Sequence, residues 1–546
     1  MAENRKKDGF VMQAGILAIA GIVCRIIGLL YKSPLTSIIG DEGNGYYGFA
    51  YNIYSIILLI SSYSIPSAIS KVIAQKLELR EYKNAHKIFK CALLYVVIVG
   101  GTASLLAFFG AGFLVTSNSV PVLRVLAPTI FLSGILGVLR GYFQAHKTML
   151  QTSISQILEQ ILNAVVSIGA AYLFMQMVAD KDDTTKAVYG AMGSALGTGV
   201  GVAIAVLFMF GIYMLNRKLI DRRIKRDVNH REETTEEVFK LIVSVVTPFI
   251  LSTCIYNLST SLNQTLYTKI FMGIKGVAEE EASSAYGIFS VKAMTVVNIP
   301  VAFASAMSSA VIPSISGCYA RGEKKEAKKK IHQAIHTVML ISIPSAVGLC
   351  VLAEPVMGVL FPQKESLAMA SSLLRYMSVT VIFYGLSTLS NAILQGIGKV
   401  NVPVKNAAIA LVLQTAVIVP LLIYTDLNLY CFVIATIIYS FTMCILNSHA
   451  MKKAMGYKEK IAKTYIMPLF AAVIMGVAAG GVYYGLYSLI KRNLICLAAA
   501  IVVAVIVYFV VLIKIGGLTE KEMKAMPKGT MLVRVAKKMH LIRYHT

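Results

Sequence analysis

The chain has 546 residues, 57% of them apolar and only 14% charged, with a formal net charge of +25. A surface that apolar excludes a soluble domain of this length, so most of the chain must face lipid. The basic excess would suit nucleic acid, but Lys and Arg fall in short clusters between apolar stretches, not along one amphipathic or aromatic-interleaved face; that excludes nucleic-acid binding and points to the positive-inside bias of cytoplasmic loops.

Apolar stretches of about twenty residues or more predict about fourteen transmembrane helices. In chain order they are 10–39, 46–76, 87–115, 120–145, 152–178, 187–216, 238–270, 284–314, 330–353, 367–395, 402–424, 428–451, 464–490 and 493–514. Every second loop is basic: Lys76 to Lys87, His146-Lys147, Arg217 to Arg231, Arg321 to Lys330, Lys399, and Lys452 to Lys463. The loops between, such as Gly40-Asp41-Glu42-Gly43 and Gly276 to Glu281, are acidic or neutral on balance, and only Lys491-Arg492 breaks the alternation. This predicts both termini in the cytoplasm and a basic tail, 515–546, against anionic headgroups. The first span is too long for a cleavable signal and carries Arg25 and Lys32. The eight cysteines lack metal-ligand spacing, so no metal is expected.

The chain is built twice. Ile65-Pro66-Ser67-Ala68-Ile69-Ser70 returns as Ile312-Pro313-Ser314-Ile315-Ser316, Tyr47-Gly48 as Tyr286-Gly287, and Arg124 and Gln144 as Arg375 and Gln395, always in the same order. The reading is an all-α polytopic membrane protein: a six-helix bundle over 1–216, a basic cytoplasmic linker over 217–237, a second six-helix bundle over 238–453 and two extra helices over 464–514. Repeated halves place a substrate path between bundles that rock to alternate access, so the expected function is transport. No phosphate-binding loop, His-Glu-x-x-His motif or extramembrane segment of catalytic size is present, and no enzyme activity or cofactor is expected.

Ionisable groups at membrane depth carry the functional signal, because each is costly unless it faces a cavity or a partner. Arg25 and Lys32, seven residues apart in the first span, form a cationic stripe, and Lys292 lies in the eighth. Such cations would hold an anionic headgroup, Arg as a phosphate fork and Lys as a point charge; Lys32 is also near enough to its helix end to snorkel. Glu159 in the fifth span would bridge to a cation or couple transport to an ion or proton, and Arg140 and Gln144 are expected at a gate or interface. The seventh span is dense in amides and hydroxyls, so Asn257, Ser261, Asn263 and Gln264 should line water. Tyr46, Tyr47, Tyr51 and Tyr54 would either stack on sugar rings or form a belt at the outer interface.

Several of these stretches together carry a resemblance: Arg25 to Leu29, the loop Ile39-Gly40 with Gly43, Gly45 and Tyr47, Pro66 to Lys71, and Arg140-Gly141-Tyr142-Phe143-Gln144-Ala145. They resemble the polysaccharide-exporter branch of the multidrug/oligosaccharidyl-lipid/polysaccharide flippase superfamily, within it the stage V sporulation protein B group and MurJ-type lipid II flippases. The resemblance implies two six-helix bundles that move an undecaprenyl-pyrophosphate-linked oligosaccharide across a bacterial plasma membrane, with cavity cations on the pyrophosphate. That role passes to Arg25 by motif and to Lys292 by position. It also implies a monomer among membrane lipids, with cell-wall synthesis enzymes as the partners it would meet. One departure is Ser61-Ser62-Tyr63-Ser64, where lipid II flippases carry further arginines, which leaves the glycan open. The alternative is a cation-coupled multidrug antiporter, which would favour cavity carboxylates; a scaffold without transport would need no buried charge.

Overall fold

The computed structural model describes residues 2–520 except 64, 147, 226, 228–231 and 458, together with 523, 533, 534 and 537. Side chains of residues 2–19, 22, 62, 63, 67, 68, 245–258, 260, 261, 309–314 and 320 fall outside that description. Every described element is helical. Two compact units divide the chain at Val291 and Lys292.

The first unit holds α1 (Ala2–Leu58), α2 (Ile65–Glu78), α3 (Tyr82–Phe109), α4 (Ala111–Leu114), α5 (Val120–Ala145), α6 (Met149–Met177), α7 (Asp183–Ile224), α8 (Thr235–Tyr267) and α9 (Glu279–Gly287). The second holds α10 (Met294–Ala320), α11 (Lys324–Val351), α12 (Ala353–Leu360), α13 (Leu367–Met377), α14 (Thr380–Gly396), α15 (Asn401–Tyr424), α16 (Tyr430–Met455), α17 (Met467–Ile490) and α18 (Asn493–Lys514). The spatial division falls inside the eighth expected span, whereas the expected repeat turns over at 217–237.

Among the described residues, 11 helices are long and apolar enough to cross a membrane, or 12 if the bent pair α13 and α14 is one span. The shortfall from fourteen has two causes. α1 carries the first two spans as one element broken at Gly40, whose φ of 69° suits a residue without Cβ. α8, the seventh span, runs through residues whose side chains are outside the described set.

Lipid is as apolar as a leucine side chain, so close backbone approach and polar contacts, not exclusion from water, hold these helices together. On α7, Gly193, Gly197 and Gly201 form a row at helical spacing. A Cβ on any of them would overlap α6 at Ala170-Ala171, Ser167 or the Glu159 carbonyl. That row fixes the height of Glu159 and Asn163 on α6. Val122, Leu123, Leu126 and Ile130 of α5 are fully buried in the adjoining core.

The expected linker is partly helix, since α7 continues to Ile224. Its acidic end docks on the basic loop after α2: Glu233 pairs with Lys76, its N–H donates to Asn84 at 3.0 Å and its carbonyl accepts from Lys87. Thr234 and Glu237 then cap α8 reciprocally.

In the second unit, α17 packs Gly476 and Gly480 against Val347 and Val351 of α11, and the Tyr508 hydroxyl of α18 donates to the Leu340 carbonyl at 2.9 Å. The two extra helices therefore build on α11. A buried amide cluster ties α14, α15 and α16: Asn406 donates to Asn447 at 2.8 Å, and Asn447 to Asn391 at 2.7 Å and Ser390 at 3.0 Å.

Candidate functional site

The polar interior of the first unit is assembled from α1, α5, α6 and α7. The α5–α6 hairpin sets its base. Arg140 on α5 reaches across the hairpin, its Nε donating to Ser155 Oγ at 2.9 Å and its Nη2 to Glu159 Oε2 at 2.7 Å. The side chains keep 14% and 29% of their surface, so the pair is only partly dehydrated. Glu159 is thus bridged to a cation, and its partner is Arg140, the residue expected from the sequence at a gate or interface. Gln144, one turn further along α5, is half-buried.

Above this pair, Asn163 lies one turn along α6, accepting at Oδ1 from Ser167 at 2.9 Å and lying beside Tyr31 of the first leg of α1. Tyr47 of the second leg shares a hydrogen bond with Thr198 of α7 at 3.2 Å. Lys32 adjoins Tyr31 in the chain and is half-buried, while Arg25, seven residues earlier, is exposed. Both cations of the predicted stripe therefore sit on the leg of α1 that carries the edge of this polar wall.

At the end of the first unit that bears the acidic loops, α1 meets α8 and α9. Gln264 is 5% exposed, and its side-chain oxygen accepts from Asn52 and from the Tyr286 hydroxyl at 3.1 Å. Its Nε2 donates to the Phe49 carbonyl at 3.1 Å, and the Phe49 and Tyr286 rings stack at 4.7 Å. A Cβ on Gly287 would overlap the Asp41 carbonyl, and one on Gly45 the Ser283 carbonyl. The Tyr-Gly echo seen in the sequence is therefore a physical meeting: Gly48 of the first copy lies against Tyr286 of the second. Tyr46 is fully buried beside this clamp, donating to Glu42 at 2.9 Å and accepting from Asn118 at 3.0 Å. Asn263 adjoins the clamp residue in α8 and is half-buried; Asn257 and Ser261 lie outside the described side chains.

Lys292 opens the second unit in a π-helical turn, Ile288–Ala293, a distortion frequent at functional positions. Only 1% exposed, it donates from Nζ to Ser366 Oγ at 2.6 Å and lies 5.9 Å from the centre of the Phe361 ring. Ser366 and Phe361 come from the acidic-side loop between α12 and α13. Nothing in the sequence singled them out, since a Lys–Ser contact across 74 residues leaves no periodic trace.

The sequence model of the family described as lipid II flippase MurJ matches residues 88–505. The chain belongs to that family. It is similar to the lipid II flippase MurJ of Bacillus subtilis strain 168, 25% identical over 90% of this chain and 91% of the relative. It is also similar to the stage V sporulation protein B of the same organism, 23% identical over 97% of this chain and all of the relative. Among solved structures, one of a lipid II flippase MurJ in an inward closed conformation superposes with a TM-score of 0.63 at 16% identity, over 91% of this chain and 97% of that one. That likeness gives the fold, a polytopic all-α one. The family fixes the class, a bacterial multi-pass membrane transporter and not an enzyme.

Proposed function

We propose that this chain moves an undecaprenyl-pyrophosphate-linked oligosaccharide across the bacterial plasma membrane by alternating access, with the basic loops and both termini in the cytoplasm. The observation that carries the reading is the family match across residues 88–505, which takes in most of both repeats. The polar wall of the first unit supports it chemically. Arg25 and Lys32 would hold the pyrophosphate at its edge, where an exposed guanidinium can fork onto phosphate oxygens. Lys292, in the second unit, would serve the substrate after its bond to Ser366 opens. The Gln264 clamp with Asn52 and Tyr286 would close the extracellular side, and the Arg140–Glu159 bridge would brace the cytoplasmic end of the same wall. The protein would work as a monomer among lipids, meeting cell-wall synthesis enzymes as the users of its product.

The superfamily's alternative, a multidrug antiporter, needs a cavity carboxylate to hold an organic cation. Glu159, the acid the sequence offered for that role, is engaged by Arg140. The test is native mass spectrometry of the purified protein with lipid II, undecaprenyl pyrophosphate and an organic cation such as ethidium. Retention of both pyrophosphate lipids, weakened by Arg25→Ala, is the expected result. Retention of ethidium with neither lipid would replace the flippase by the antiporter.

A further inference from the structure

The second leg of α1 carries an aromatic row that the clamp and the cations leave unexplained. Tyr47, Tyr51 and Tyr54 recur at i, i+4 and i+7, which puts them on one helical face. Their rings follow one another at 5.4 Å with a 26° tilt and at 5.5 Å with a 43° tilt. The row runs about 10 Å along the helix.

Its surroundings are protein. The Tyr47 hydroxyl is tied to Thr198 of α7, Tyr54 lies beside Ser133 of α5, and Tyr31 of the first leg is set against Asn163 of α6. Helices α5 and α7 thus hold the two ends of the row. Tyr54 is 3% exposed, yet Tyr51 between its two neighbours keeps 42% of its surface. Tyr51 thus has a ring on either side of it along the helix and still keeps an open face, an arrangement suited to stacking. Tyr46, by contrast, turns away into the clamp and takes no part.

Aromatic faces beside amide and hydroxyl groups suit a saccharide, whose ring has an apolar C–H face and a polar hydroxyl rim. Tyr31 and Lys32 are successive residues of one leg of α1, so the ammonium and the tyrosine wall lie at nearly one height along that helix, and a phosphate on the one would set its first sugar at the level of the other. Resting on the flippase reading above, we infer that Tyr51, flanked by Tyr47 and Tyr54, stacks on the sugar ring adjoining the pyrophosphate, with Tyr31 and Asn163 at its hydroxyl rim, and so makes this wall the part of the transporter that tests for a glycan.

The experiment compares wild type, Tyr51→Leu and Tyr51→Phe of the full chain for binding of lipid II and of undecaprenyl pyrophosphate, which lacks sugar, with the thermal midpoint recorded for each. The expected result is lipid II binding about tenfold weaker in Tyr51→Leu, unchanged in Tyr51→Phe, and undecaprenyl pyrophosphate binding unchanged in both. Equal weakening of both lipids by Tyr51→Leu, or of neither, overturns the inference while the flippase reading stands. A wild type that binds neither lipid overturns both. A misfolded Tyr51→Leu leaves Tyr51→Phe to decide, because loss of lipid II binding on removing only the hydroxyl contradicts stacking.

Discussion

The guanidinium of Arg140 and the carboxylate of Glu159 meet at 2.7 Å across the α5–α6 hairpin, with Ser155 held in the same grip. Removing Arg140 leaves a partly buried carboxylate without its cation, which costs more than removing both charges together. Arg140→Ala should therefore destabilise the protein by about 1–3 kcal/mol, and Arg140→Ala with Glu159→Gln by less. Thermal midpoints of the two single variants and the double variant in detergent check this; additive losses would show that the pair is not coupled.

Gly287 touches the backbone at Asp41, so even a small side chain there must push α9 from α1. In a cysteine-free background, Ala50→Cys, which is fully buried, should resist a membrane-impermeant thiol reagent. Adding Gly287→Val should expose it and slow transport by about tenfold or more, as expected when a closed state loses a few kcal/mol. Unchanged labelling would mean that the clamp does not gate this side.

Lys292 is a buried ammonium whose Nζ bonds Ser366. Ser366→Ala should cost about 1.5–3 kcal/mol, since it removes a hydrogen bond to a charged group. Lys292→Met, which removes the charge with its burial penalty, should leave stability equal or higher. If Lys292 serves substrate after release from Ser366, Lys292→Met will nevertheless reduce transport. Stability loss without a transport defect would assign it a packing role alone.

Asp182 caps α7 and accepts from the Thr185 hydroxyl at 2.7 Å and its N–H at 2.9 Å, and these bonds hold its carboxyl below the usual range. A depressed folded value means stability present above the unfolded value and lost as pH falls through the folded one. Asp182→Ala should thus lower the thermal midpoint at neutral pH. The difference from wild type should vanish in acid below the ordinary carboxylate range; a gap that persists there would rule out capping as its cause.

Much of this architecture was legible because lipid imposes strict demands. Apolar length revealed nearly all of the spans, 11 or 12 of which reappear among the described helices. The places of Arg25, Lys32 and Glu159 inside apolar stretches singled them out before any contact was known. Partners were less legible. The amide-rich run in α8 marked Gln264 as needing hydrogen bonds, but Asn52 lies 212 residues away and only folding brings it near. The Arg140–Glu159 bridge had a usable signal, since both residues lie within a few turns of one hairpin. The tyrosine row carried two readings, and its neighbours on α5 and α7 left no trace in the spacing.

The most direct measurement is transbilayer movement of fluorescent lipid II in proteoliposomes containing the purified chain, wild type against Arg25→Ala. The account predicts protein-dependent movement that Arg25→Ala reduces by about tenfold or more, as loss of a charge-assisted phosphate contact implies. Movement no faster than in protein-free vesicles, or movement indifferent to Arg25, would contradict it.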